Sequence, residues 1–240
     1  MSVVAPPRAS LMRRDTELRE LMDDPDCDPV QLAATLRRFE TVNRLVSGWG
    51  RIFRDRLSPL LRERGRPARV LDLGCGGGDL LARLATLAAR QGLEAEWVGV
   101  DPDDRAIAVA RTREMPGVAF RVADAQSLVA EGAGFDVVVS NHVLHHLDDP
   151  SRDAFAAASV ALAREAVMHA DIERGRTAYG LYAIGITPFA PGTFLRTDGL
   201  RSIRRSYRAA ELAAALGAGW VIERPAPFRL LAVAAGGSRA

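Results

Sequence analysis

The stretch VLDLGCGGGDLLARLA, residues 70–85, decides the fold of this chain. Its first residues are typical of a buried β-strand, a glycine turn follows, and the remainder has the apolar spacing of a helix. Strand, glycine turn and helix in this order build several unrelated cofactor sites. The two carboxylates that bracket the glycines, Asp72 and Asp79, therefore bear on which ligand the turn holds.

Composition narrows the class of protein. The chain has 240 residues, of which 48% are hydrophobic, and this is enough for one domain with a full core or one domain with appendages. The 32 basic and 30 acidic residues nearly balance and are spread along the chain, which argues against a nucleic-acid surface. Because the sequence contains no lysine, a lysine Schiff base and a P-loop lysine are both excluded.

The two cysteines and the absence of an apolar span predict where the protein resides. Cys27 lies in an acidic turn and Cys75 in the glycine loop, so neither a disulfide framework nor a four-ligand zinc site is expected. The N-terminus lacks a signal pattern, and no stretch of about 18 uncharged apolar residues is present. We expect a soluble protein of the reducing cytoplasm, without stable membrane insertion.

Strands and helices alternate from residue 68 onward. The pattern predicts strands at 68–73, 96–101, 118–123, 135–140 and 166–171, with helices at 79–91, 103–113 and 151–163. Such alternation, with strands that are nearly continuous Val and Leu runs, indicates a parallel sheet covered on both faces. A helix at 209–216 and two apolar runs, 220–223 and 230–234, predict a closing antiparallel pair.

Two segments stand outside this rhythm. Residues 1–15 are expected to be disordered, and 29–62 to form two short helices around a bend at Gly48 and Gly50. Residues 173–207 carry turn signals among aromatic residues, which is typical of a lid or binding insertion. The predicted domains are 1–66, an N-terminal tail and helical lid, and 67–240, with a cap insertion at about 174–208.

Charge around the glycine turn predicts a cationic ligand. A dinucleotide site needs G-x-G-x-x-G, but after Gly74 and Gly76 the third position is Asp79. Asp72 and Asp79 would repel a pyrophosphate by roughly 1 to 4 kcal/mol per close pair. S-adenosylmethionine carries an ammonium and a sulfonium and no phosphate, so it is the cofactor that fits.

Polar residues at later strand ends support this choice. Asp101 is placed to take both ribose hydroxyls, and Asp124 to accept the adenine amino group. Ser140, Asn141 and His142 follow the fourth strand and are expected beside the first loop. All of these positions lie at the carboxyl ends of strands, the edge where open α/β sheets bind ligands.

Four segments in this order resemble a known family. VLDLGCGGGD, VGVDPDDRAIAVAR, VADAQSL and FDVVVSNHVLHHL, between residues 68 and 171, resemble the successive motifs of class I S-adenosylmethionine-dependent methyltransferases. The resemblance implies an α/β, Rossmann-like doubly wound, mostly parallel seven-stranded sheet with a C-terminal antiparallel hairpin, an N-terminal helical lid and an inserted cap. Residues 67–240 would then be the methyltransferase domain.

The same resemblance implies a cofactor site. Gly74, Cys75 and Gly76 would form the glycine loop that the cofactor approaches, and Asp72 would lie near its amino group. Asp101 would bind the ribose and Pro102 would contact the adenine. Asp124 and Ala125 would lie at the adenine edge, and Asn141 and His142 near the methionine moiety.

Segments outside these motifs resemble a narrower group. TLRRFETVNRLVSGWGRIFRDRLSPLL and FLRTDGLRSIRRSYRAAELAAAL are similar to bacterial small-molecule methyltransferases of quinone and phenolic polyketide pathways. The resemblance implies a small acceptor, phenolic or quinonoid.

A cluster of histidines supplies candidate bases. Methyl transfer to a phenol requires removal of its proton, and histidine is the usual base near neutral pH. His142, His145 and His146 would share one face if their segment were helical. His145 is the first candidate and His146 the second, although His146 is equally well explained as a structural residue. Asp171 could orient a base or substrate, or cap a helix.

Other polar residues receive weaker predictions. In the related ubiquinone O-methyltransferases, acidic residues and a histidine in this segment hold a divalent ion; here histidines replace the acids, so no metal is expected. His169 is expected to be buried in the sheet. Residues that could enclose the acceptor or cofactor, or only pack the core, are Tyr179, Tyr182, Arg196, Tyr207, Phe39, Asn43 and Trp49.

The expected function is transfer of a methyl group from S-adenosylmethionine to a small aromatic or lipid-like acceptor, at a phenolic oxygen. Carbon methylation of a quinol ring and a non-catalytic cofactor-binding module are the alternatives that stay open. A nucleotide-sugar or NAD enzyme is disfavoured by the carboxylates around the loop. We expect a monomer or homodimer whose partner is the small-molecule acceptor, with no nucleic acid.

Overall fold

A seven-stranded sheet forms the centre of the structure, a computed structural model that describes residues 11–62 and 66–237. The strands are β1 (Ala68–Leu73), β2 (Ala95–Asp101), β3 (Val118–Val122), β4 (Phe135–Asn141), β5 (Ala163–Ile172), β6 (Trp220–Glu223) and β7 (Arg229–Ala235). Their order is β3-β2-β1-β4-β5-β7-β6. β1 to β5 are parallel, whereas β7 pairs antiparallel with β5 and β6 with β7. The predicted fold class is confirmed.

Helices cover both faces of this sheet. They are α1 (Pro29–Val46), α2 (Trp49–Ile52), α3 (Ser58–Arg62), α4 (Asp79–Ala89), α5 (Asp104–Ala110), α6 (Ala125–Ala130), α7 (Asp149–Leu162), α8 (Arg176–Gly185), α9 (Leu195–Arg205) and α10 (Ala209–Leu216). A π-helical turn, Phe53–Leu57, joins α2 to α3. Among the described residues, none of the helices combines the length and apolar character that crossing a bilayer requires.

Successive residues of the strands point to opposite faces of the sheet and belong to two hydrophobic cores. Val70 and Val137 belong to the cluster beneath α2, α3 and α4, whereas the next residues, Leu71 and Val138, belong to the cluster beneath α6 and α7. Both faces are apolar because each is covered by helices. The strand order reverses between β1 and β4, which places a ligand crevice at their carboxyl ends.

Glycines make the turn after β1 possible. Gly74 has a φ of 71°, and a Cβ there would come within 2.7 Å of the Val143 side chain. Gly78, which precedes α4, has a φ of 76°, and its Cβ would lie 2.7 Å from the Phe120 ring. Both positions combine a left-handed backbone with lack of space, so only glycine fits without rearrangement.

The N-terminal helices bend where the sequence predicted. Asp28 caps α1 by accepting from the N–H groups of Val30 and Gln31, and Gly48, at φ 78°, breaks the chain before α2. The first helix is 18 residues long rather than short, and Gly50 lies inside the second helical stretch. Gly50 therefore does not interrupt the helix, contrary to expectation.

Residues 11–15 are ordered, which corrects the expectation of disorder for that part of 1–15. Leu11 is buried, Arg14 Nε donates to the carbonyl of Arg205 at 2.7 Å, and Asp15 pairs with Arg204. Contacts with α9 thus order this segment, although its sequence has no helical or strand periodicity. Residues 1–10 lie outside the described part of the chain.

Two more helical regions were missed by the sequence analysis. Helix α6 is only six residues long, too short to show an apolar period, and it begins at the cap residue Asp124. The segment 174–208 contains α8 and α9, although its turn signals did not predict helices. Those signals mark the connection between the two helices, around Pro188 and Pro191.

Candidate active site

A cavity of about 960 Å³ opens at the carboxyl ends of β1, β2 and β4. Residues of α1, the segment 11–28, α8 and α9 form its outer walls, and the glycine loop forms its floor. Most of the predicted site residues line it: Asp72, Gly74, Cys75, Gly76, Asp101, Pro102, Asn141, His142, His145 and His146. The topology therefore brings together residues that lie up to 74 positions apart, from Asp72 to His146.

A buried carboxyl group without a hydrogen-bond partner lies beneath the glycine loop. Asp72 is 1% exposed, and neither of its carboxylate oxygens has a hydrogen-bond partner among the described residues. Burial, together with the charges of Asp79 and Asp101, raises its pKa well above the usual range. A cationic group bound here would restore the ionised form and give these oxygens donors. The ammonium and sulfonium of S-adenosylmethionine meet that requirement, whereas a phosphate would not.

Asp101 is oriented by the backbone around it. One oxygen accepts from the Gly76 N–H at 2.9 Å and the other from the Asp103 N–H at 2.9 Å. Burial raises its pKa, while these two bonds oppose the shift. Each oxygen keeps a lone pair, so the carboxylate can still accept from two ribose hydroxyls. Pro102 lies beside it at the cavity wall.

The N-terminal helices reach the predicted cofactor residues directly. Asn43 of α1 donates from Nδ2 to Asp79 Oδ2 at 3.0 Å, and Trp49 Nε1 donates to Asn141 Oδ1 at 3.1 Å. Asn43 and Asp79 both line the cavity. Phe39 also lines it, whereas Trp49 is fully buried in the core. These contacts fix how α1 lies over the glycine loop.

Asp124 and Ala125 lie apart from the residues that line the cavity. The Asp124 carboxylate accepts the Ser127 N–H through Oδ1 at 2.7 Å, which caps α6, and Ala125 is buried beneath that helix. Oδ2 makes no hydrogen bond to a described residue, and the side chain is exposed. Their role at the adenine edge stays a prediction.

His145 and Asp171 form a buried pair at the end of β5. His145 Nδ1 lies 2.6 Å from Asp171 Oδ1, and the His145 backbone N–H donates to Oδ2 at 3.0 Å. Both side chains are 1% exposed. The pairing orients the imidazole and leaves Nε2, which is buried and makes no hydrogen bond to a described residue, as its other titrating nitrogen. Burial would raise the pKa of Asp171, but the His145 charge outweighs it and lowers that pKa to about 2.

Glu20 approaches the other side of this imidazole. Its Oε1 lies 3.4 Å from His145 Nε2, without the geometry of a hydrogen bond, and it accepts from Ser202 Oγ at 2.7 Å. Burial would lower the pKa of His145, but the carboxylates of Asp171 and Glu20 together raise it to about 9. His145 is therefore mostly protonated at neutral pH while Glu20 is ionised.

His146 lies nearer to the surface than His145. Its Nδ1 lies 3.1 Å from Asp23 Oδ2 and its Nε2 3.7 Å from Glu20 Oε1. Glu20, His145 and His146 have ligand atoms within 4.8 Å of one another, an arrangement of one carboxylate and two imidazoles. This donor set suits zinc or iron better than magnesium. The expectation that no metal takes part stays a prediction.

The three clustered histidines do not share one helical face. Leu144–His146 form a single 3-10 turn, and His142 precedes it with a left-handed backbone, φ 63°. The Nε2 of His142 accepts from Arg229 Nη1 at 2.7 Å. His169 is buried in the sheet, as expected, with its Nδ1 2.7 Å from Ser140 Oγ.

Only one of the four cap side chains lines the cavity. Tyr182 does, and its hydroxyl donates to the Leu195 carbonyl at 2.7 Å. Tyr207 is buried under the Arg14 guanidinium, 3.6 Å from the ring centre, away from the cavity lining. Arg196 donates to the Ala183 carbonyl within the cap, and Tyr179 is half-buried outside the lining.

Sequence reasoning missed two cavity residues. Glu20 is 125 positions from His145, in a segment for which the sequence predicted no secondary structure, and nothing in the sequence links the two. Arg229 begins an apolar strand directly after Pro225-Ala226-Pro227-Phe228, and a charged residue at the start of a buried strand is the signal that could have found it.

Comparison with known proteins extends these observations. Residues 70–165 match the family model described as a methyltransferase domain. A ubiquinone biosynthesis O-methyltransferase of Paracidovorax citrulli is 32% identical over 159 residues, 64% of this chain and 60% of that enzyme. The enzyme of the same name from Roseobacter denitrificans is 39% identical over 104 residues, 42% of this chain and 38% of that enzyme. The chain thus spans less than two thirds of these curated relatives.

Solved structures agree on the fold. The plantazolicin methyltransferase BpumL in complex with SAH aligns with a TM-score of 0.57 at 11% identity, over 87% of this chain and 96% of that one. At such low identity the likeness shows the fold alone. Residues 70–165 are therefore a methyltransferase domain, and the chain has the fold of the class I S-adenosylmethionine-dependent methyltransferases that its four ordered motifs resemble.

Proposed function

We propose that this protein transfers a methyl group from S-adenosylmethionine to a phenolic oxygen of a small aromatic molecule. The observation that carries the proposal is the buried His145–Asp171 pair, of which His145 lines the cavity whose floor is the glycine loop. Several relatives that match about half of this chain are named ubiquinone biosynthesis O-methyltransferase, and these names support a phenolic acceptor.

The cofactor and the chain divide the chemistry between them. When bound, S-adenosylmethionine supplies a methyl group on a sulfonium, which an oxygen nucleophile accepts by in-line displacement. The carboxylates of Asp72 and Asp101 hold its cationic and ribose ends. Asn43 and Trp49 fix Asp79 and Asn141 from the N-terminal side, so the methyl donor is oriented between β1 and β4.

His145 removes the phenolic proton. Asp171 holds Nδ1, which leaves Nε2, buried beside Glu20, as the nitrogen that takes the proton, and the imidazolium that forms is stabilised by the same carboxylate. Because the His145 pKa is about 9, the conjugate acid is closely matched to a phenol, and the reaction accelerates as pH rises toward that value. Apolar side chains of α1 and α8 exclude water from the reacting oxygen.

The remaining assignments belong to the same proposal. Two free cysteines are compatible with a reducing cytoplasm, and the balanced charge is compatible with an enzyme that does not engage nucleic acid. We infer a monomer or homodimer whose first 66 residues act as a tail and helical lid on the 67–240 methyltransferase domain, with the cap at about 174–208 enclosing the acceptor.

Methyl-labelled S-adenosylmethionine tests this function. Incubation with a panel of phenols, catechols and quinols should give a methoxy product, identified by NMR of the labelled carbon; a methyl group on ring carbon would favour the alternative of quinol C-methylation. The variant His145→Gln should lower kcat about 10²-fold to 10⁴-fold while S-adenosylhomocysteine still binds. His146→Gln is the matched control. An unchanged rate in His145→Gln would remove His145 as the base, and no transfer to any acceptor would favour the non-catalytic module.

A further inference from the structure

A buried arginine without a carboxylate partner lines the cavity. Arg229, the first residue of β7, is 8% exposed and lines the cavity wall. Its Nε donates to the Val46 carbonyl at 2.7 Å, and its Nη1 donates to His142 Nε2 at 2.7 Å. Nη2 bonds to no described residue and is not sealed from the cavity. No described carboxylate lies within 4.0 Å of the guanidinium nitrogens.

The neighbouring polar groups do not neutralise this charge. Both oxygens of Asp171 are already occupied, Oδ1 by His145 Nδ1 and the Ile172 N–H and Oδ2 by the His145 N–H. The hydroxyl of Tyr182 donates to a backbone carbonyl and so carries no charge to offer. Burial lowers the pKa of Arg229 to about 10 although the charge of Asp171 opposes the shift, and the guanidinium stays charged. A buried, unpaired cation is unfavourable until an anion joins it.

Backbone strain is concentrated at the same place. Within the described residues, His142 and Phe228 are the two non-glycine residues with positive φ, 63° and 61°. One is the partner of Arg229 and the other immediately precedes it. Left-handed backbone is unfavourable for residues with a Cβ and persists where surrounding structure imposes it, often at ligand sites. Backbone strain at His142 and Phe228 therefore occurs next to the unpaired charge of Arg229.

His142 adds a second donor to this pair. Burial and the charge of Arg229 lower its pKa well below the usual range, so the imidazole is neutral. Because arginine can only donate, Nε2 must be the acceptor and the proton resides on Nδ1. The pair therefore offers a fixed guanidinium and a neutral N–H donor.

We propose that Arg229, positioned by His142, binds a carboxylate of the methyl acceptor, so that the acceptor is an aromatic acid rather than a neutral phenol. The inference rests on the proposed function and names the substrate class of the same site. β7 is the third strand along from β1, which separates their axes by about 14 Å. Arg229 pairs with Ile172 of β5 and follows Phe228, and both of these residues line the cavity together with Tyr182 of the cap.

Binding of paired probes to the protein loaded with S-adenosylhomocysteine tests the subsite without requiring turnover. The probes are dihydroxybenzoic acids and hydroxybenzoic acids, each beside its amide, measured by calorimetry. In the wild type at least one acid should bind tenfold or more tightly than its amide. Arg229→Gln should abolish that preference, Arg229→Lys should retain part of it, and both should hold S-adenosylhomocysteine within about twofold. Arg224→Gln, an exposed arginine five positions earlier, is the matched control and should change nothing.

Each other outcome rejects the subsite. If no acid binds more tightly than its amide, or if Arg229→Gln keeps the wild-type preference for the acid, Arg229 does not bind an acceptor carboxylate. If Arg229→Gln weakens S-adenosylhomocysteine more than tenfold while Arg229→Lys restores it, the arginine holds the methionine carboxylate instead. Failure of the wild type to bind S-adenosylhomocysteine at all would reject the proposed function, a result that is distinct from loss of acid preference.

Discussion

Replacing Glu20 by glutamine is expected to lower the pKa of His145 and to raise turnover at neutral pH. Glutamine keeps the shape of the side chain and an oxygen that accepts from Ser202 Oγ, so the substitution removes mainly the charge. Glu20 Oε1 lies 3.4 Å from His145 Nε2 in a buried site. Loss of that charge leaves Asp171 as the one carboxylate paired with the imidazole.

The size of the effect follows from this distance. A pair of unit charges at 3.4 Å interacts by about 1 to 5 kcal/mol for effective dielectric constants from 80 down to 20. With about 1.36 kcal/mol per pKa unit, the His145 pKa should fall by roughly 1 to 4 units from about 9. At pH 7 about one imidazole in a hundred is neutral in the wild type, so kcat/KM should rise about tenfold or more in the variant.

Two measurements check this reasoning. The pH profile of kcat/KM for one fixed acceptor should move to lower pH, and NMR titration of the imidazoles should show the same shift in protein loaded with S-adenosylhomocysteine. The chain has four histidines, so assignment by single substitution is practicable. Glu17→Gln, the same change at an exposed position three residues earlier, is the control. A His145 pKa that stays near 9 in Glu20→Gln would refute the electrostatic argument, whatever the rate.

Three further predictions concern the cofactor, metal and glycine positions. Asp101→Ala should weaken binding of S-adenosylhomocysteine about tenfold to a hundredfold by calorimetry, since two hydrogen bonds to a charged group are lost. Asp124→Ser, which keeps the α6 cap, should weaken the same binding about tenfold if the Asp124 carboxylate holds the adenine. Unchanged affinity in Asp124→Ser would reject this role. Excess EDTA should leave methyl transfer unchanged, because the Glu20 and histidine cluster lacks the hard oxygen set that magnesium prefers; loss of activity restored by zinc would overturn this. Gly78→Ala should lower the free energy of unfolding by more than about 2 kcal/mol. Gly132→Ala, where φ is also positive but nothing lies within 4 Å, is the control and should lower it by much less. Equal melting temperatures of the two variants would contradict the steric argument.

Strands and motif positions were predictable because their signals are local. Continuous Val and Leu runs located β1 to β5 to within three residues at each end, and strand ends then placed Asp72 and Asp101 at one edge. Helix α6 was not predicted because its six residues make fewer than two turns, too few for an apolar pattern to repeat. The order of residues 11–15 escaped because it comes from α9, nearly two hundred positions away.

The chemistry around His145 was only half predictable. Its pairing with Asp171 follows from two adjacent parallel strands, β4 and β5, whose carboxyl ends must lie side by side. The approach of Glu20 follows from no periodicity, since an irregular segment carries it. The surroundings that set the protonation state of His145 therefore required the fold, whereas the sequence was enough to propose it as the base.

The position of α1 also bears on the order of events in a catalytic cycle. Leu36 of this helix packs against Gly77, and Asn43 holds Asp79, so the helix closes over the nucleoside end of the crevice. We therefore expect the spent donor to leave only after these contacts loosen. Release of the demethylated donor should then limit steady-state turnover, and inhibition by added S-adenosylhomocysteine should reveal it.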